Sequence, residues 1–329
     1  MAASQIPKIA IISIGDMGLG IARLLIHNGF SVATNVKGRS EDTVERAKSA
    51  HVQLIESDEA LTEACDVVLS VLPPRDTVAT AQRIVDALDG PLRPRSESRS
   101  PLYYADLNAV APSTVKSIAA LFDKTKNPVR FIDGGIIGGP PAVSISEETH
   151  EPVGEWSVPS IPTSGPYKLS DIPEYGEKLS KTLNNRHISD EIGAASGLKM
   201  CFASLTKGFI SLAIQSMTTA KKLGVLDELQ SECEERMPQR WKNASKNVVG
   251  MAPKAYRWVR EMEEIALTFE EEGGFPQDSF QGAAKVYKIV AEDTVLGEEK
   301  IGKRVRGKNF DDMAAAMVEG LEKKKKKNE

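Results

Sequence analysis

The first 140 residues of this 329-residue chain alternate short apolar runs with helix-like segments, an order that few architectures accept. KIAIISI (8–14) reads as a buried strand, and Gly15 to Asn28 as a helix with Ile21, Leu24 and Leu25 inward. FSVATN (30–35) is a second strand. Ser40 opens a helix with Thr43 and acids in its first turn, and VQLI (52–55) is a third strand. DVVLSVLP (66–73) is nearly continuous in Val and Leu, as a strand covered on both faces should be. A helix from Asp76 to Leu88, a strand YYADL (103–107), a helix from Pro112 to Phe122 and a strand RFIDGGII (130–137) complete the series. Such alternation implies α/β architecture, a doubly wound parallel sheet with crossover helices. Gly90 to Pro101 is expected to be a mobile polar loop, and the proline-rich stretch from Pro140 to Pro166 a loop with room for one irregular strand.

The texture changes near residue 190. Gly193 to Gly224 reads as one long helix, in which only Lys199 and Lys207 are charged between Leu198 and Ala220. A helix apolar nearly all round belongs inside an assembly. Helices are expected over 226–237, 240–250, 254–272, 278–292 and 309–323. The expected organisation is an α/β domain over 1–190, an all-helical domain over 191–322 and a disordered basic tail over 323–329. The net charge of −4 points to neither nucleic acid nor a membrane surface. No charge-free apolar run reaches the roughly 20 residues of a membrane span, and the N-terminus lacks a basic leader. Cys65, Cys201 and Cys233 have no ligand spacing and are expected to be reduced thiols of a cytoplasmic protein. The four histidines are scattered, so no metal site is expected.

The first strand runs into Gly15-Asp16-Met17-Gly18-Leu19-Gly20. The glycines sit at the first, fourth and sixth places, so the string alone is a weak signal. Its context, strand then tight turn then helix at the start of a βαβ unit, is that of a pyrophosphate site on backbone amides. That marks Gly15, Asp16, Met17 and Gly18 as cofactor-binding. An acid ending the second strand would accept from the ribose hydroxyls of NAD. Here Asn35 is followed by Lys37, Arg39 and Ser40, two cations and a hydroxyl suited to a 2′-phosphate. NADP(H) is therefore expected over NAD(H), the alternative being an exposed loop merely decorated with cations.

The order of landmarks IAIISIGDMGLG, DVVLSVLPP, YADLNAVAPST, FIDGGIIGGPPA and GAASGLKM resembles the β-hydroxyacid dehydrogenase superfamily, relatives of 6-phosphogluconate dehydrogenase and 3-hydroxyisobutyrate dehydrogenase. APKAYRWVREMEEIALTFEE is similar to the subfamily with a phosphogluconate-dehydrogenase-like C-terminal domain of unknown function. The resemblance implies a Rossmann-type domain followed by an all-helical one. It places Leu72, Pro73 and Pro74 beside the nicotinamide ribose, and Asn108 against cofactor and substrate. It implies that Gly138 and Gly139 offer amides to a substrate carboxylate, and that Lys199 is the catalytic acid/base. Three positions depart from the family pattern. Ile137 stands where a serine is usual and Ala203 where an asparagine is usual, and a lysine-containing pair is replaced around Glu261 to Glu264.

Alcohol oxidation needs a base for the hydroxyl proton as the hydride leaves. Lysine can serve when burial or a nearby cation lowers its pKa. Lys199 otherwise snorkels or pairs with an acid such as Asp190 or Glu191. Lys207 is a candidate for an anionic substrate group, or an interface lysine. Ser204 is a candidate for the missing amide, or a small packing residue. Trp258 shares a helix with Arg257, Glu261 and Glu264, a face that either closes a substrate pocket or is solvated. The expected function is an NADP(H)-dependent oxidoreductase acting on a small anionic hydroxy acid or its keto counterpart. The alternatives are an imine reductase-like enzyme, from which Lys199 argues away, and an inactive NADP-binding protein. The apolar long helix and the family both imply a homodimer.

Overall fold

A computed structural model describes residues 8–90, 100–145, 152–299 and 304–328. The chain forms two compact units divided between Lys199 and Met200. The first contains β1 (Lys8–Ile12), α1 (Asp16–His27), β2 (Ser31–Asn35), α2 (Glu41–Ser49), β3 (Gln53–Ile55), α3 (Asp58–Ala64), β4 (Val67–Ser70), α4 (Thr77–Asp89), β5 (Leu102–Asp106), α5 (Pro112–Phe122) and β6 (Val129–Gly134). There follow β7 (Ala142–Ile145), β8 (Pro152–Ser157), β9 (Ile161–Ser164), α6 (Gly176–Thr182) and β10 (Asn185–Ser189).

Eight strands make one sheet in the order β10-β9-β6-β5-β4-β1-β2-β3. All its pairs are parallel except β6 with β9. The two-residue period of a strand sends alternate side chains to opposite faces. Ile9, Ile11, Val67 and Leu69 enter one core with Ile21 and Leu25 of α1 and Leu179 of α6. Ala10, Ile12 and Val68 enter the other with Leu61, Ile84 and Ile118 of α3, α4 and α5. The strand order reverses direction between β1 and β4, the topological switch at which open α/β sheets bind ligands.

Several expectations need correction. The stretch from Pro140 to Pro166 is not one loop. It contains a β7–β8 hairpin and the strand β9, which pairs antiparallel with β6. Helices α3 and α6 and strand β10 were not expected either. Each is seven residues or fewer, too short for a periodic signal. Residues 91–99 of the expected mobile loop lie outside the described residues. The first unit ends at Lys199 rather than near residue 190, because the turn after Gly193 is bonded into the sheet through Asp133 and Ser164.

The long helix α7 (Ala194–Leu223) is bounded by Gly193 and Gly224, whose φ values of 105° and 75° lie in the left-handed region that glycine enters without cost. From Met200 onward the regular elements of the described residues are all helical. After α7 come α8 (Leu226–Arg236), α9 (Pro238–Met251), α10 (Ala255–Glu271), α11 (Asp278–Glu292) and α12 (Phe310–Asn328). Helix α12 runs through the segment expected to be a disordered tail, and Lys324 bonds Asp293 at 2.6 Å. By length and composition α7 is apolar enough to cross a bilayer, its best 18-residue window having a mean hydropathy of 1.3. The core helix of a folded domain has the same length and composition.

Candidate active site

The C-terminal ends of the parallel strands carry the chemistry of the first unit. Helix α1 begins directly after β1, and no side chain caps it at Gly15. Its first amides are therefore left for an anion, with the helix dipole favouring negative charge. The glycines make this approach possible. A Cβ on Gly18 would collide with the Ser13 carbonyl, whereas Gly15 faces open space. The glycine at the sixth place packs against another segment. A Cβ on Gly20 would lie 2.9 Å from the Pro141 carbonyl oxygen, so Gly20 lets the segment after β6 pack on α1. Asp16 and Met17 contribute as first-turn positions of this helix.

A cavity of about 90 Å³ joins that turn to the end of β2, lined by Ser13, Gly15, Thr34, Asn35, Arg39, Thr43 and Arg46. Asn35 shapes the loop, its amide donating to Asp58 at 2.8 Å while its oxygen accepts from the Lys37 backbone at 2.9 Å. Lys37, Arg39 and Ser40 are exposed. The sequence reading missed Arg46, whose guanidinium donates to Thr43 Oγ1 at 3.0 Å and whose buried Nε has no partner among the described residues. The signal was present, since Ser40, Thr43 and Arg46 are spaced three apart at the start of a helix, a spacing that shares a face.

Leu72, Pro73 and Pro74 follow β4, with Pro74 opening a 3-10 turn. Asn108 is 2% exposed and its side chain bonds through both its oxygen and its nitrogen. It accepts from the Leu72 backbone at 2.5 Å and donates to Ser70 Oγ at 2.9 Å. It thus holds the β4 turn against β5. Beyond β6, Gly138 (φ 136°) and Gly139 are exposed, while Ile137 exchanges both backbone hydrogen bonds with Ser160 at 2.8 and 3.0 Å.

Lys199 lies in the second turn of α7, and its ammonium donates to the Ile136 carbonyl at 2.7 Å. A Cβ on Gly135 would come within 2.7 Å of Lys199 Cβ, so the bare glycine is what lets the lysine lie across this strand end. Burial pulls its pKa from 10.5 down to about 8. Among the described residues no acid is ion-paired with it, in contrast to the ion-pair alternative. Behind it runs a buried polar row. Ser70, Asp106, Asp133 and Ser164 are neighbours in register across β4, β5, β6 and β9, all 0% exposed. Burial, with the Asp133 charge beside it, raises Asp106 to about 7.

The remaining expected substrate residues lie in the helical unit. Ser204 turns its hydroxyl onto the Cys201 carbonyl of its own helix at 2.7 Å, which commits it to packing. Ala203, where the family amide is missing, is 1% exposed. Lys207 is ion-paired with Glu261 and lies 4.8 Å from the Trp258 ring centroid. Tyr287 donates to the Lys207 carbonyl at 2.5 Å and packs edge-on against Trp258. Among the described residues no group of three His, Cys, Asp or Glu side chains is placed to hold a metal.

Residues 8–146 match the NAD-binding domain of 6-phosphogluconate dehydrogenase, and residues 220–290 match a domain of unknown function. An uncharacterized 28.5 kDa protein of Methanothermus fervidus is 26% identical over 265 residues, 78% of this chain and 91% of that one. Among solved structures, a Mycobacterium tuberculosis 3-hydroxyisobutyrate dehydrogenase with L-serine shares the fold. Its TM-score is 0.60 at 16% identity, over 96% of this chain and 99% of that one. An imine reductase from Myxococcus stipitatus in complex with NADP+ is similar at a TM-score of 0.50 and 14% identity, over 95% and 100% of the two chains.

The lowered pKa of Lys199 has a consequence for stability. Between pH of about 8 and 10.5 the unfolded chain holds a lysine proton that the folded chain has released. Raising the pH through that window therefore favours the folded state. Below about 8 the cost of burying the ammonium is fully present. Relative to Lys199→Met, which has no such titration, the native protein should gain unfolding free energy across that window. Urea unfolding of both at a series of pH values measures it.

Proposed function

Residues 8–146 constitute an NAD-binding domain of the 6-phosphogluconate dehydrogenase type, and from that premise we propose that this chain is an NADP(H)-dependent oxidoreductase of a small anionic hydroxy acid. The observation that carries the reading is the amine of Lys199, partly buried, without an acidic partner among the described residues and held on the Ile136 carbonyl at the strand end. The bound nicotinamide supplies a hydride acceptor. Lys199, neutral above a pH of about 8, takes the hydroxyl proton as the carbonyl forms. In reduction the protonated amine returns that proton to the carbonyl oxygen and stabilises the developing negative charge on it. Gly138 and Gly139, exposed just beyond β6, present backbone to a substrate carboxylate. Ile137 in place of the family serine narrows the polar contacts available there, which points to a substrate other than the family's familiar ones.

The cofactor preference rests on Arg39, Thr43 and Arg46 around the cavity at the end of β2, with Ser40 against Thr43, where two guanidinium groups suit a 2′-phosphate. The homodimer rests on α7. Phe202, Leu205 and Leu212 are 45%, 77% and 59% exposed, and with Phe209 they repeat at three- and four-residue steps, the spacing of a helix–helix seam. A second copy offers the same stripe in return. Such an enzyme works in the cytoplasm.

Three measurements test these readings. Lys199→Ala should cut turnover of a responsive keto acid roughly 100- to 10,000-fold while NADPH affinity stays near native. Turnover intact with affinity lost would remove the lysine from the chemistry, and turnover of imines alone would select the reductase alternative. Arg39→Ala with Arg46→Ala should weaken NADPH about 10- to 100-fold and leave NADH unchanged, read by fluorescence titration. Leu205→Glu with Leu212→Glu should convert a dimer to a monomer in light scattering, and a native protein that is already monomeric refutes the seam.

A further inference from the structure

The segment Asp133 to Ile136 touches the first turns of α7 at three levels. At the lowest, the fully buried Asp133 carboxylate receives the Gly193 amide at 2.9 Å, the Ser196 amide at 3.2 Å and the Ser196 hydroxyl at 2.6 Å. Ser164 completes the cap, donating to Asp133 at 2.7 Å and accepting from the Ala195 amide at 3.0 Å. In the middle, Gly135 makes room for the Lys199 side chain. At the top, the Ile136 carbonyl accepts from the Lys199 amine. Ser196 and Lys199 are three residues apart, on one side of the helix.

We propose that Asp133 is a positioning residue for Lys199, fixing the depth and rotation of the α7 start so that the amine meets the Ile136 carbonyl. The proposal rests on the reading of Lys199 as the proton carrier. Most of the first-turn amides of α7 end on Asp133 or on Ser164, so a shift of the helix start must break several bonds together. The same segment supplies both the anchor of the turn and the acceptor of the amine. Relative motion between the two is thereby limited to a few bonds of backbone. The charged groups around Asp133 are consistent with the role. Asp106 beside it is pushed up to about 7 by burial, so it takes up a proton as the pH falls below neutral. Lys116, on α5, packs near Gly193, where a Cβ would lie 3.1 Å from its Cε. Asp133 thus faces the positive end of α7.

The test uses Ser196→Ala, which removes one hydroxyl and leaves every charge in place, together with Ser196→Thr, which keeps the hydroxyl. The full-length protein is labelled with acetic anhydride over a pH series, and modification of the Lys199 peptide is followed by mass spectrometry. This readout needs no substrate. In the native chain the labelling midpoint should lie near about 8. In Ser196→Ala it should rise toward 10.5 as the loosened amine reaches water, and Ser196→Thr should return it to the native value. Where turnover has been established, kcat should fall about 10- to 100-fold with KM for NADPH unchanged. A native midpoint in Ser196→Ala, accompanied only by a lower melting temperature, would reduce Asp133 to a helix cap and overturn the proposal. Absence of any turnover in the native protein would instead strike at the redox reading, and the labelling result would stand apart from it.

Discussion

A buried carboxylate joins the strands to the long helix. Asp133 is 0% exposed, and burying an ionised group is costly unless hydrogen bonds replace its water. Here the replacement comes from the unfilled amides at the start of α7 and from two serine hydroxyls. Each side solves the other's problem, since the helix start would otherwise leave donors unsatisfied and the carboxylate would lack partners. One consequence is the position of the unit boundary, which falls after the first turns of α7 rather than before them.

The chemistry of Lys199 depends on the same junction. An ammonium on an apolar helix tends to find an acid or reach for water. Lys207 takes the first course, pairing with Glu261 against Trp258. Lys199 does neither, because the bare backbone at Gly135 receives its stem and the Ile136 carbonyl receives its amine. A carbonyl accepts a hydrogen bond without supplying a full negative charge, so burial governs the pKa and lowers it. Two lysines on one helix are thereby set to different tasks, one to ion pairing and one to proton exchange.

Departures from the expected pattern have local causes. The displaced second glycine of the first turn, Gly18, lies where a Cβ would collide with the Ser13 carbonyl. Asn108 is spent on the β4 turn, with both ends of its amide bonded inside the protein. Ser204 is spent on its own helix. In each case a polar or small residue that looked available to a ligand satisfies the chain's own backbone, as buried polar groups generally must.

Sequence alone determined the alternation of strands and helices through Phe122 apart from α3, a strand placed at 130–137 that the structure ends at Gly134, the glycine turn, the cation-rich end of β2 and the long helix with its odd lysine. These are local patterns, written in side-chain periodicity and in the special backbone of glycine. The short elements α3, α6 and β10, and all but one irregular strand of β7 to β9, were not legible, because segments of seven residues or fewer are held by partners distant in sequence and carry little period of their own. Arg46 and Asp133 were overlooked for a related reason. The role of Arg46 depends on Ser13 and Asn35 closing a cavity with it, and that of Asp133 on residues some 60 positions away. Only the folded chain brings those groups within hydrogen-bonding distance, since hydrogen bonds and burial act through space and leave no periodic trace in the order of residues.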